Sequence, residues 1–136
     1  MDKQATVFYV DDNPKSRALL TNILEAKGFS VIAAEDPQEA LRRARSIEFE
    51  VALLDYQMPG MLGTQLAREL KRVNPDLPVV VISGLAALPS HELAGVNVHL
   101  GYGTRVDQLL ETIEMLADRS SPRWAESIVS CWHGST

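Results

Sequence analysis

Short apolar runs of four or five residues alternate along the chain with longer stretches whose apolar positions recur every three or four residues. The first pattern is that of buried strands and the second that of amphipathic helices. Thr6-Val7-Phe8-Tyr9-Val10 reads as a strand, followed by Asn13-Pro14 and a helical pattern through Lys27. The Asn13 side chain can accept from the first free helical N–H groups, and Pro14 suits the first helical position. Leu19, Leu20, Ile23 and Leu24 recur at helical spacing and are expected to bury one face. Gly28 then stops the helix where a positive φ is usually needed.

The alternation repeats. Ser30 to Ala34 predicts a second strand, and Asp36-Pro37 opens a helix in which Ala40, Leu41, Ala44 and Ile47 share a face. Val51-Ala52-Leu53-Leu54 is apolar at every position, as expected for a strand covered on both sides. A third helix from Gly63 to Val73 carries Leu66, Leu70 and Val73 inward, and Asn74-Pro75 ends it. Val79-Val80-Val81-Ile82 is a second fully apolar, β-branched strand. Val96 to Leu100 predicts a fifth strand. A long helix from Val106 to Ala117 places Val106, Leu109, Leu110, Ile113 and Ala117 on one face. Strand–helix pairs in this order predict a parallel sheet with helices on both faces, because parallel strands need right-handed crossovers. In such sheets ligands bind beyond the carboxyl ends of the strands.

Two segments depart from the rhythm. Between Ser83 and Val96, Pro89 and Gly95 leave room for a fourth helix of one or two turns at most. After Arg119, Trp124, Ile128 and Trp132 are spaced by four, which places two indoles on one face of an added helix. The expected organisation is a domain over residues 1–119 and a C-terminal helical tail over 120–136. The tail stripe suits a helix docked on its own domain, with a dimer or partner contact as the sharper alternative.

Composition narrows the classes. At 136 residues, 46% hydrophobic and 23% charged, the chain has ordinary globular make-up. No apolar run approaches the ~20 residues of a membrane helix, and the amino-terminal Met1-Asp2-Lys3-Gln4 lacks the features of a secretory leader. One cysteine, Cys131, excludes an internal disulfide and leads to a cytoplasmic expectation. The formal charge of −5 disfavours nonspecific nucleic-acid binding.

The residues just after the strands carry the candidate chemistry: Asp11-Asp12 after the first, Asp55 after the third, Ser83 after the fourth. Carboxylates about 4–5 Å apart repel by roughly 3–4 kcal/mol per pair at an effective dielectric near 20. Such a cluster persists if one group protonates or a cation sits among them. Oxygen-only ligands on loops suit Mg²⁺. A turn with a helix cap would account for Asn13 and Pro14 but leaves Asp11 unexplained. Asp55 could be a turn former ahead of Met58-Pro59-Gly60, yet a lone acid after four apolar strand residues is costly. Ser83 carries less weight alone, since small hydroxylated residues commonly end strands.

Val10-Asp11-Asp12-Asn13-Pro14, Leu53-Leu54-Asp55-Tyr56-Gln57-Met58-Pro59-Gly60-Met61 and Val80-Val81-Ile82-Ser83-Gly84 closely resemble the receiver domain of two-component response regulators. The resemblance runs from about Thr6 to Ala117. It implies a flavodoxin-like, CheY-like doubly wound (βα)5 fold with strand order 2-1-3-4-5. It further implies that Asp55 is the phosphoacceptor, taking its phosphoryl group from a sensor histidine kinase or phosphotransfer protein. Asp12 would ligate Mg²⁺ directly and Asp11 mostly through water, with Asp55 and the main-chain carbonyl of Gln57 completing the set. Ser83 would contact a phosphoryl oxygen as the switch. Phosphoryl transfer needs an in-line nucleophile and positive charge over the equatorial oxygens.

The chain departs from the family at three places. Receivers carry a Lys-Pro pair after the fifth strand, where this chain has Tyr102 and Gly103. A phenol donates a hydrogen bond but carries no charge at neutral pH. Arg105 could reach back, although a solvated helix-start residue is the plainer reading. His99 falls where the family has a switch aromatic; a half-buried strand histidine is the plainer reading there too. His91 and His133 have no partners at metal-ligand spacing and read as surface residues. The fourth helix is short, on the face by which receivers commonly dock partners or dimerise.

The expectation is a receiver that is not itself an enzyme beyond self-phosphotransfer and autodephosphorylation, signalling by contact with a downstream protein target, with homodimerisation possible on that face and no membrane or nucleic-acid partner. The alternative is a degenerate receiver acting as a phosphorylation-independent adaptor. A nucleotide-binding enzyme on the same fold needs a glycine- or hydroxyl-rich loop after the first strand, where Asp11-Asp12 would repel phosphate. A haloacid-dehalogenase-type phosphatase wants Asp-x-Asp there rather than adjacent acids. Seventeen residues after Arg119 are too few for a helix-turn-helix domain.

Overall fold

Five parallel strands form the spine: β1 Thr6–Val10, β2 Ser30–Ala34, β3 Val51–Asp55, β4 Val79–Ser83 and β5 Val98–Gly101, in the order β2-β1-β3-β4-β5. The structure, a computed structural model, describes residues 5–118. Trp124, Ile128, Cys131, Trp132, His133 and the expected tail lie outside the described residues. Helices α1 Pro14–Lys27, α2 Pro37–Ala44, α3 Gly63–Val73 and α4 Val106–Ala117 make four crossovers or flanks, and a 3₁₀ helix, Ser90–Gly95, joins β4 to β5.

Local chemistry explains where the helices begin. Asn13 Oδ1 accepts from the Lys15 and Ser16 N–H groups at 2.9 and 3.2 Å, with Pro14 at the first helical position. Asp36 Oδ1 accepts from Glu39 N–H at 2.8 Å, while Glu39 Oε1 accepts from Glu35 N–H at 2.9 Å. Gly28 ends α1 at φ +112°, a backbone conformation that a Cβ would strain.

Side chains of period two divide the core into two layers. Phe8, Val10, Leu54 and Val81 face α2 and α3, where Ala40, Leu66 and Leu70 meet them. Val7, Tyr9, Leu53 and Val80 face the other way, toward Leu24 of α1 and Leu109, Ile113 and Leu116 of α4.

Several expectations change at element ends. Leu19, Val73 and Val106, expected inward, are exposed by 64%, 48% and 48%. Val73 and Val106 are the last and first residues of their helices, and Leu19 lies one step of helical rotation outside the stripe centred on the buried Leu24. α2 stops at Ala44, so Ile47 packs against the core from the following loop. β5 begins at Val98 rather than Val96 because the preceding residues serve other bonds. Val96 N–H closes the 3₁₀ helix onto Leu93 O at 3.0 Å. Asn97 Oδ1 accepts from Val79 N–H at 2.8 Å and Lys71 Nζ at 2.6 Å.

The short fourth helical element is as expected, and it is tied down. Glu92 Oε1 accepts from Tyr56 Oη at 2.7 Å and Thr64 Oγ1 at 3.1 Å. A Cβ on Gly95 would stand 2.9 Å from the Arg68 nitrogen, so glycine permits the close approach of this element to α3.

Candidate functional site

The pairing of Val10 with Leu54 sets Asp11 and Asp55 side by side at the carboxyl edge of the sheet. Asp55 in turn pairs with Ile82, and Tyr56 N–H donates to Ile82 O at 2.8 Å. One carboxylate oxygen each from Asp11, Asp12 and Asp55 lies within 4.8 Å of the others. Asp11 is buried, Asp12 exposed and Asp55 half-buried.

Asp11 is held from both sides. Tyr9 Oη donates to its Oδ2 at 2.6 Å and Asn13 N–H donates to its Oδ1 at 2.9 Å. Burial, reinforced by the bond to Asp11, pushes the Tyr9 phenol well above its ordinary value, so it stays a donor. Arg17 Nη1 donates to the Asp11 carbonyl oxygen at 2.8 Å, fixing the backbone that presents both acids.

Asp55 is set by its surroundings in opposing senses. Burial raises its pKa above the ordinary 3.8, and the Asp11 and Asp12 charges add to the rise. A hydrogen bond from Tyr102 and one from the Tyr56 backbone pull it down. The Tyr56–Gln57 peptide is clamped by α3: Gly63 N–H donates to Tyr56 O at 2.6 Å. A Cβ on Gly63 would collide with the Asp55 carbonyl oxygen.

Facing the acids stand three neutral groups. Tyr102 Oη donates to Asp55 Oδ1, and its ring lies over Gly84, where an added Cβ would meet Cδ2 at 3.3 Å. Burial and the Asp55 contact raise the Tyr102 phenol, which is therefore un-ionised at neutral pH. Ser83 Oγ lies 2.6 Å from His99 Nε2 and accepts from Leu85 N–H at 3.1 Å. Burial lowers the His99 pKa below 6.5, so the ring is uncharged at pH 7.

The expected residues therefore gather unevenly. Asp11, Asp12, Asp55 and Tyr102 meet directly; Ser83 and His99 meet each other; Gln57 is exposed and lines the same depression. Arg105 does not reach back: its Nε lies 3.2 Å from Asp107 Oδ1. Among the described residues no lysine or arginine forms an ion pair with Asp55. His91 is a surface residue, 3.8 Å from Glu92 Oε2. The depression has a volume of about 760 Å³ and continues from the acids onto an apolar wall of Leu19, Leu20, Ile23, Val106 and Leu109.

Sequence reasoning passed over Tyr9 and Arg17. Tyr9 lies two residues before Asp11, which in an extended strand is the same side. Arg17 lies in the first turn of α1, next to the loop it steadies. All three clustered ligand atoms are carboxylate oxygens, a donor set that fits a hard divalent cation such as Mg²⁺ and not a soft one.

A sequence model of the response regulator receiver domain matches residues 7–98. The transcriptional regulatory protein GlrR of Escherichia coli is 32% identical over 135 residues, covering 94% of this chain and 30% of that protein. A protein-glutamate methylesterase/protein-glutamine glutaminase of Vibrio vulnificus is 41% identical over 105 residues, covering 71% of this chain and 30% of that protein. The chain thus spans under a third of the length of these curated relatives. A CheY-like receiver domain protein of Methanospirillum hungatei superposes with TM-score 0.79 at 27% identity, covering 85% of this chain and 95% of that one. The response regulator TrrA of Thermotoga maritima, solved in complex with Mg²⁺-BeF, gives 0.78 at 25% identity, covering 83% and 99%.

Proposed function

The chain belongs to the response regulator receiver domain family, and from that premise we propose that it accepts a phosphoryl group on Asp55 and signals by protein–protein contact. The observation that carries this reading is the meeting of three carboxylates within 4.8 Å at the carboxyl ends of β1 and β3, with Asp55 at the centre of the sheet. Mutual repulsion of such a group is relieved by a divalent cation. The likeness to a receiver solved with Mg²⁺-BeF supports Mg²⁺ as that cation.

Asp11, Asp12, Asp55 and the Gln57 carbonyl would hold Mg²⁺, which supplies charge neutralisation for the transferring phosphoryl oxygens. The residues of the chain do the rest. An Asp55 carboxylate oxygen attacks phosphorus; the P–N bond of a phosphohistidine donor, or the P–O bond of a small acyl phosphate, breaks with its electron pair leaving on the donor. The product is an acyl phosphate on Asp55. The rise in the Asp55 pKa reflects a carboxylate poorly solvated and ringed by like charges, a state that favours nucleophilic attack once the charges are balanced.

Tyr102 takes the place of the family's lysine as a neutral donor. Its hydroxyl occupies Asp55 Oδ1, so it moves to a phosphoryl oxygen when the group is transferred. The Ser83 hydroxyl is the second phosphoryl contact, and His99 sets its direction through the 2.6 Å bond. No described helix is long and apolar enough to cross a membrane. A cytoplasmic location and partnership with a histidine kinase or phosphotransfer protein accord with the family.

The missing lysine favours a second reading, an adaptor that binds its target without phosphorylation. Intact-protein mass spectrometry after incubation with Mg²⁺ and a small acyl phosphate separates the two. A gain of one phosphoryl group, absent in Asp55→Asn and absent with chelator, supports the receiver reading. No gain with Mg²⁺ bound, measured by titration, supports the adaptor.

A further inference from the structure

Asp55 and the Gln57 carbonyl, which the proposed reading places on Mg²⁺, are joined through a single residue, Tyr56. The fold holds that residue at three points. Tyr56 N–H donates to Ile82 O at 2.8 Å, and Gly63 N–H donates to Tyr56 O at 2.6 Å. The third point is the side chain: the ring is buried in the layer shared with α2 and α3, and its Oη donates to Glu92 Oε1 at 2.7 Å. The same oxygen accepts from Oγ1 of the fully buried Thr64 at 3.1 Å. Thr64 follows Gly63 at the start of α3. One carboxylate oxygen thus ties the end of β3 to the start of α3, on either side of the loop 57–62 that carries the Gln57 carbonyl.

We propose that Glu92 is a positioning residue for the phosphoacceptor site, setting Asp55 and the Gln57 carbonyl through its hydrogen bond to Tyr56. The inference rests on the receiver reading of Asp55. The chemistry of the group supports a role beyond filling space. The Glu92 side chain is 16% exposed, and a carboxylate so far removed from water is costly where an apolar side chain would pack. A carboxylate accepts and does not donate, so both hydroxyls are fixed in direction, and its hydrogen bonds are roughly twice as strong as neutral ones. The Glu92 bond, ahead of burial, raises the Tyr56 phenol above its ordinary value, so it stays a donor. Glu92 is itself anchored, since the 3₁₀ helix Ser90–Gly95 abuts α3 where a Gly95 Cβ would stand 2.9 Å from the Arg68 nitrogen. Its other oxygen, Oε2, lies 3.8 Å from Nε2 of the exposed His91, so Oε1 alone holds Tyr56 and Thr64.

The test is Mg²⁺ affinity of the full chain by calorimetric titration, read beside its thermal melt. Glu92→Ala is expected to weaken Mg²⁺ binding about tenfold, as loss of a group that supports a metal ligand does. Glu92→Gln keeps an acceptor oxygen for Tyr56 and is expected to restore most of the affinity. Both variants remove the same charge, so the difference between them belongs to the hydrogen bond. Tyr56→Phe keeps the ring in the core, deletes the bond from the other side and is expected to match Glu92→Ala; it decides the matter even where Glu92→Ala fails to fold. The double variant is expected to lose no more than either single one. Lower melts with Mg²⁺ affinity unchanged overturn the proposal, leaving Glu92 a structural residue. Losses that add in the double variant overturn the route through Tyr56, and Glu92→Gln no better than Glu92→Ala overturns the hydrogen bond as its means. An unmodified chain that binds no Mg²⁺ overturns the receiver reading itself and this proposal with it.

Discussion

At the ends of β1 and β3, one carboxylate oxygen each from Asp11, Asp12 and Asp55 lies within 4.8 Å of the others, with Asp11 aimed by Tyr9 Oη and Asn13 N–H and Asp55 by Tyr102 Oη. At the ends of β4 and β5, the groups facing them are a serine, a histidine and a tyrosine, all neutral at pH 7. The first half is built to attract a cation. The second half donates hydrogen bonds but supplies no charge of its own. A receiver with a lysine divides the neutralisation of phosphate between metal and protein; on the proposed reading the whole of it would fall here on the metal side. Hydrogen-bond direction then replaces charge as the contribution of β4 and β5.

That contrast can be broken from either half. The largest effect belongs to the acidic half: chelation of Mg²⁺ should lower the rate of phosphoryl acceptance by more than about a hundredfold, since charge neutralisation is the main catalytic term. Mass-resolved time courses with and without chelator measure it. Next is Gly63→Ala, which forces a Cβ into the Asp55 carbonyl. It should cost about 1–3 kcal/mol of stability in denaturant titration and displace the nucleophile.

The opposing half offers a gain. Tyr102→Lys restores a cation, and a charge-assisted bond of about 1.5–3 kcal/mol predicts acceptance faster by roughly tenfold or more. Tyr102→Phe removes the donor without adding charge and should slow it. A smaller effect is expected for His99→Phe, which deletes one neutral bond to Ser83 worth about 1 kcal/mol; thermal melts should show a modest loss. The smallest is a pH effect. Because the folded Asp55 titrates above 3.8, its contribution to stability is present below that value and lost as pH rises through the folded pKa. In metal-free protein the stability advantage of Asp55→Asn over the unmodified chain should therefore widen as pH rises through the acidic range, and added Mg²⁺ should reverse it.

The strands and the acids were legible because both depend on local pattern. Apolar runs mark buried strands, and an acid directly after such a run must sit at the sheet edge. α1, α3 and α4 begin and end where Pro14, Gly28, Asn74 and the periodicity place them. What escaped depends on register and on ends. Ser83 and His99 meet because His99 pairs with Val81, two residues before Ser83 on the same face; knowing the strand pairing would have revealed it. Leu19 and Val106 fit the helical period yet face solvent, since periodicity says which residues share a side and not whether anything covers it. Tyr102 was identifiable as the residue in the lysine's place. That its hydroxyl would rest on Asp55 itself follows from the turn after β5, where Tyr102 N–H is pinned to Ser83 O at 2.9 Å.

The central claim is that Asp55 carries the phosphoryl group despite a neutral opposing half. Borohydride converts an aspartyl phosphate to homoserine, so reduction of the Mg²⁺- and donor-treated chain followed by peptide mass mapping locates the acyl phosphate directly. The account predicts homoserine at position 55 and at no other aspartate. Unaltered aspartate at 55 after saturating donor and bound Mg²⁺ would contradict it.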